Sequence, residues 1–201
     1  MKNIFSILFL LSTSLLFSQG DYQVEINGKV IEIELDKEYE VKVGKEILKV
    51  SVKQKDTLLY KDDAFNFKFP KEYKVAKSNI DEGIEQLMLM TAEGSGFIIQ
   101  KYTTFNPTLL NELMINEVTK ESVSYGYSMV RKDYEKTLAS GLKIKVIKAV
   151  LTYNDEINIY EIASVGEKDA GLLFMSMEMD DSENSLGRNL INLIWSSLEI
   201  K

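Results

Sequence analysis

Five of the eight methionines stand in Met-x-Met spacing: Met88 with Met90, and Met175 with Met177 and Met179. Thioethers are soft ligands that suit Cu(I). Residues two apart on a strand share a face, about 6.6 Å from each other. Two sulfurs of one strand can therefore meet at one ion, while a third needs help from another strand. Core packing produces the same spacing, because Ser176 and Glu178 take the opposite face and methionine fills irregular interiors. The chain has no His and no Cys, so the run is assigned to the core, with Cu(I) coordination as the alternative. The missing imidazoles and thiols also exclude His- or Cys-built zinc sites, thiolate nucleophiles and any triad with an imidazole base.

Paired carboxylates remain the open enzyme chemistry, and no spacing marks a pair. A Ser–Lys nucleophile needs a positioned pair as well, and none is assigned. Glu178, Asp180, Asp181 and Glu183 form an acidic cluster without calcium-loop spacing. Acidic residues ahead of a helix are explained by capping and by the helix dipole. Gly94-Ser95-Gly96 lacks the Gly-Lys-Ser/Thr ending of a phosphate loop and is read as a hairpin turn. Five aromatic residues, Tyr102, Phe105, Tyr125, Tyr127 and Tyr134, flank the two ends of the first predicted helix. Aromatic side chains anchor partners or stack on ligands, and these five are the candidate contact surface. No cofactor, metal ligand or catalytic residue is assigned.

The elements that position these residues follow from periodicity. From Tyr22 to about Tyr60 the period is two, punctuated by Asn27-Gly28 and Gly44-Lys45, which predicts a four-stranded β-meander. Phe65, Phe67 and Phe69 share one face of a strand that ends at Pro70. Strands are expected over 87–91 and 97–102. A helix then starts at Asn106-Pro107, with Leu110, Leu113, Met114 and Val118 on one face and Gly126 behind it. Further strands are expected over 128–134, 142–153, 157–165 and 172–179. The apolar phase of 142–153 flips at Val146-Ile147, which predicts a β-bulge. A last helix carries Leu186, Leu190, Ile191, Leu193, Ile194 and Leu198, with Asp180, Asp181 and Ser182 as candidate N-caps. Hairpin-length connections exclude a parallel sheet for the second half. The fold class is α+β: an antiparallel β-sheet flanked by helices, preceded by a small N-terminal β-meander.

The segment from Phe65 to Tyr73, an aromatic strand ending in Pro before a short extended piece, resembles the opening of the PsbP-like fold group. A long helix, an antiparallel meander and a C-terminal helix follow there in the order read here. The resemblance covers about residues 63–201 and is one of pattern. It implies an α/β/α sandwich and points to the exported bacterial, DcrB-like branch, a group not known as enzymes. DcrB-like members carry a lipobox Cys, which this chain lacks.

Residues 1–19 read as a signal peptide: Lys2, an apolar run from Ile4 to Phe17, then Ser18-Gln19-Gly20. That run is shorter than a bilayer span requires. The organisation expected is a signal peptide over 1–19, a β-meander module over 20–60 and the α+β domain over 61–201. The 201 residues are 45% hydrophobic and 27% charged, with net charge −7 and only two arginines, Arg131 and Arg188. Nucleic acid is excluded as a partner on charge, and no membrane insertion is expected once the signal is removed. The functional expectation is a non-catalytic accessory or interaction protein, periplasmic or extracellular, whose partner is another envelope or secreted protein. A small-ligand or Cu(I)-binding protein is the alternative.

Overall fold

The computed structural model describes residues 22–179 and 185–201. The expected signal peptide lies outside them, and so do Asp180, Asp181, Ser182 and Glu183. The chain divides into two compact units between residues 54 and 55.

The first unit contains β1 (Tyr22–Ile26), β2 (Lys29–Ile33), β3 (Glu38–Val43) and β4 (Glu46–Ser51). Asn27 and Gly28 both adopt positive φ, as a two-residue hairpin turn demands, and they close β1 on β2. Gly44 does the same between β3 and β4. The expected strand pairs are present, but β2 and β3 do not pair, so the meander is two separate hairpins. Asp36, at φ 62°, turns the chain between them, and its N–H donates to the Val52 carbonyl. Ile33 and Val41 are buried.

The second unit opens with β5 (Thr57–Lys61), β6 (Phe65–Pro70), β7 (Ala76–Asp81), β8 (Ile84–Met90) and β9 (Gly96–Tyr102). A 3-10 turn over Pro107–Leu110 leads into α1 (Asn111–Tyr125). Then come β10 (Ser128–Arg131), β11 (Tyr134–Thr137), β12 (Lys143–Tyr153), β13 (Glu156–Glu167), β14 (Ala170–Glu178), α2 (Leu186–Ser197) and β15 (Glu199–Ile200). Eight strands form one antiparallel sheet in the order β10-β12-β13-β14-β9-β8-β7, with β11 also on β12. β15, β6 and β5 form a second, three-stranded sheet.

One face of the large sheet packs against α2 and the phenylalanines of β6, burying Phe65, Phe67, Phe97, Phe174 and Trp195. The other face packs against α1 through Ile115, Ile147, Leu151 and Ile162. The molecule is thus α+β, with helices on both faces of an antiparallel sheet.

This two-sided burial removes the expected β-bulge. The register of β12 against β10, β11 and β13 is unbroken. Ile144 and Val146 face the α2 side, whereas Ile147, Ala149 and Leu151 face the α1 side. The phase flips because the strand's two halves are buried on opposite faces. The single strand expected over 128–134 is two strands on the same neighbour, interrupted at Lys132-Asp133.

Asn106 caps the first helical segment as expected, but it caps the 3-10 turn, accepting from Thr108 N–H at 3.0 Å. Helix α1 turns Ile115 and Thr119 inward, where the Thr119 hydroxyl donates to the Ile115 carbonyl, and it leaves Leu113 exposed. Gly126 ends α1 in the left-handed conformation. The side chain capping α2 is Ser185, which accepts from Arg188 N–H at 3.1 Å.

Candidate functional site

Around the C-terminal end of α1 three tyrosines come together. Tyr125 closes the helix, Gly126 reverses the chain, and Tyr127 leads into β10. Ser128 pairs with Thr152, so the register sets Tyr127 beside Tyr153 at the end of β12. Ring centroids are 5.2 Å apart for Tyr127–Tyr153, 5.4 Å for Tyr125–Tyr153 and 6.3 Å for Tyr125–Tyr127. Tyr125 is 71% exposed. The Tyr127 hydroxyl donates to Glu156, and that bond holds its phenol above the usual range. Met129, two residues on from Tyr127, shares its face of β10 and is exposed, as are Val123 on α1 and Val130 on the opposite face of the strand. β10 is the outermost strand at this end of the sheet.

Of the five aromatic residues expected to share a surface, the structure brings together Tyr125 and Tyr127. Tyr102 is buried, stacks edge-on against Phe105 at 4.6 Å, and donates its hydroxyl to Gln100 Oε1 at 2.6 Å. Burial pushes its phenol up. Tyr134 packs into the core on the α2 side and donates to Glu161 Oε1 at 3.0 Å. Burial first, then the Glu161 charge, raise its phenol well above the ordinary value. Tyr153 belongs to the cluster and was not predicted, because only strand pairing carries it there.

Glu161 was also missed. Its carboxylate is buried and takes four donors from four elements. Oε1 accepts Tyr134 Oη and Lys148 Nζ (3.2 Å), and Oε2 accepts Ser176 Oγ (3.3 Å) and Trp195 Nε1 (3.1 Å). The signal was legible as a charge standing in phase with Ile157, Ile159, Ala163 and Val165. A carboxylate so engaged ties β11, β12, β13, β14 and α2 together. It is spoken for on both oxygens rather than poised as a base.

Glu178, expected among the acidic residues, is ion-paired with Arg188, whose Nε lies 2.7 Å from Oε1. Among the described residues no group of three or more His, Cys, Asp or Glu is placed to hold a metal ion. Gly94-Ser95-Gly96 forms the β8–β9 hairpin turn, as read from the sequence. Ser140 and Lys143 satisfy Ser-x-x-Lys spacing, which the sequence reading passed over. Ser140 is exposed beside a turn glycine, and Lys143 pairs with Glu135 at 3.0 Å. Met175 is core, Met88 is exposed, and Met90, Met177 and Met179 are half-buried. A cavity of about 650 Å³ at one end of the large sheet has aliphatic walls, including Ala64, Leu142, Val165, Leu172 and Ile200, with Lys101 among its polar groups.

No family model and no curated protein matches the chain. Among solved structures it is similar to cyanobacterial PsbP (CyanoP) from Synechocystis sp. PCC 6803, at 10% identity and TM-score 0.49, over 73% of this chain and 93% of that one. It is also similar to a protein from Bacteroides thetaiotaomicron VPI-5482, at 12% identity and TM-score 0.39, over 73% of this chain and 48% of that one. Among the described residues no helix is long and apolar enough to cross a membrane.

Proposed function

We propose that this is an exported, non-catalytic accessory protein of a bacterial cell envelope, acting by contact with another envelope or secreted protein. The observation that carries the reading is the cluster of Tyr125, Tyr127 and Tyr153, with the exposed Met129 on the same face of the outermost strand β10. Tyrosine presents an apolar ring and a polar tip at low entropic cost, which suits a protein interface. An outermost strand offers backbone groups to an extended segment of a partner. The occupant proposed is such a segment, laid along β10 with an apolar side chain against the tyrosines. Export rests on the leader pattern of residues 1–19. The lack of catalysis rests on the absence of His and Cys and on the full engagement of Glu161.

The test is co-purification from envelope extract with wild type, with a Tyr125→Ser/Met129→Lys double variant, and with Leu109→Ser, which changes an exposed leucine elsewhere. The reading expects a partner held by wild type and Leu109→Ser, and reduced at least about tenfold by the double variant, the loss expected for one anchor side chain. Equal recovery by all three refutes it. The aliphatic cavity of about 650 Å³ supports a second reading, small-ligand binding, since its volume is in the range of ligand sites. Thermal stabilisation by medium-chain alkanols or alkanoates, abolished by Val165→Phe, would favour that reading.

A further inference from the structure

We propose that Met90, Met177 and Met179 form a binding site for Cu(I). Strands β8, β9 and β14 are neighbours in register, which creates two rows on the α1 side of the sheet. One row is Met88–Ile98–Met175 and the other is Met90–Gly96–Met177. Directly opposed residues share a face. In the first row Ile98 stands between the two methionines, and Met175 is sealed in the core. In the second row the middle residue has no side chain.

Met90 uses that gap. A Cβ added to Gly96 would lie 2.5 Å from Met90 Sδ. That position is also 2.8 Å from Met90 Cα, so the sulfur stands at the gap between β8 and β9, on the side of its own strand from which β9 and then β14 follow. The third ligand comes from the same strand as Met177. Met179 lies two residues on, its Cγ 3.9 Å from the Cβ position of Gly94, so it leans over the turn that precedes Gly96. Its Sδ is 4.0 Å from the hydroxyl of Tyr160, the residue paired with Met177. A thioether sulfur that receives this weak hydrogen bond keeps a lone pair for a metal. The two glycines thus let methionines from β8 and β14 approach one another. All three side chains are half-buried, and Met177 and Met179 pack against the apolar cluster on the α1 side.

The donor set selects the ion. Neutral thioethers are soft ligands that suit Cu(I) and offer nothing to calcium or magnesium, which require oxygen. Zinc would need His, Cys or carboxylate ligands. The copper stays monovalent throughout, so binding needs no oxidant or reductant and releases no proton from its ligands.

The test is an anaerobic titration of the purified protein with Cu(I) held by bicinchoninate under a reductant, repeated with Ag(I) by calorimetry as a redox-inert probe. Leucine is close to methionine in volume, so single Met→Leu variants keep the fold, and Trp195 emission checks this. The expected result is one equivalent of Cu(I) taken from the competitor. Met90→Leu and Met177→Leu each weaken binding at least tenfold, while Met88→Leu and Met175→Leu stay within twofold. No withdrawal by wild type overturns the proposal. So does binding that Met90→Leu and Met177→Leu leave intact, or that Met88→Leu weakens equally.

Discussion

Replacing Glu161 by Gln removes a charge and almost no volume, so its effect isolates the hydrogen-bond chemistry of the buried carboxylate. Both oxygens of Glu161 accept two donors each. An amide keeps one oxygen and puts an NH₂ in place of the other. Whichever way it is turned, the NH₂ faces one hydroxyl and one group that can only donate. With the NH₂ toward Oε2 these are Ser176 and Trp195; toward Oε1 they are Tyr134 and Lys148. A hydroxyl can rotate to accept, but an indole N–H or an ammonium cannot. One donor-only group therefore loses its partner: the Trp195 indole, 3% exposed, or the Lys148 ammonium, whose side chain is 28% exposed. The cost of an unsatisfied donor in such a site puts the destabilisation at about 1–3 kcal/mol. That corresponds to a Tm lower by roughly 3–10 °C for a chain of this size. Urea unfolding followed by far-UV circular dichroism and by the emission of Trp195, the only tryptophan, measures it. A Trp195→Phe background supplies the cycle, because with the indole N–H gone the Glu161→Gln cost should fall by about 1 kcal/mol. If Glu161→Gln lies within about 0.5 kcal/mol of wild type, the usual reach of a surface change, the four-donor account is wrong.

Three further outcomes follow from the same reasoning. Gly126→Ala should destabilise by about 1 kcal/mol or more, since φ of 118° is strained for any L side chain, and urea midpoints check this. Ser185→Ala should cost about 1 kcal/mol by removing the α2 cap, and a midpoint unchanged from wild type contradicts it. Stability should be flat from about pH 5 to 9 and fall outside that window. Asp133 is held below its ordinary value, chiefly by its hydrogen bond to Arg131, so its contribution is present above about pH 4 and lost as pH falls through the lowered value. Lys101 is pushed down by burial but raised further by Asp63 and Asp62, so its contribution is present below about pH 10 and lost as pH rises through the raised value. Midpoints that climb as pH drops from 5 to 3 refute this.

The sequence made most of the fold legible, because most strands bury one face and the alternation shows. Phe65, Phe67 and Phe69 read as a strand, and so they fold. β7, Ala76–Asp81, has every residue exposed at the sheet edge, and without a buried face it has no apolar period to read. β12 was misread because alternation assumes a single buried face, while Ile144–Val146 and Ile147–Leu151 are buried on opposite sides. The site was legible where it is local. Tyr125 and Tyr127 bracket a glycine that ends a helix, whereas Tyr153 joins them only through register. Tyr102 and Tyr134 looked the same in sequence, and the structure buries the first and ties the second to Glu161. The Met90–Gly96–Met177 row needs two strand pairings at once and cannot be seen in either strand alone.

A photoreactive amino acid placed at position 125 in living cells, with position 77 on the opposite edge strand as control, tests the contact account most directly. The account predicts one discrete cross-linked adduct to another envelope or secreted protein at position 125, lost when Met129→Lys is added and absent at position 77. No adduct at 125, or the same adducts at both positions, would contradict it.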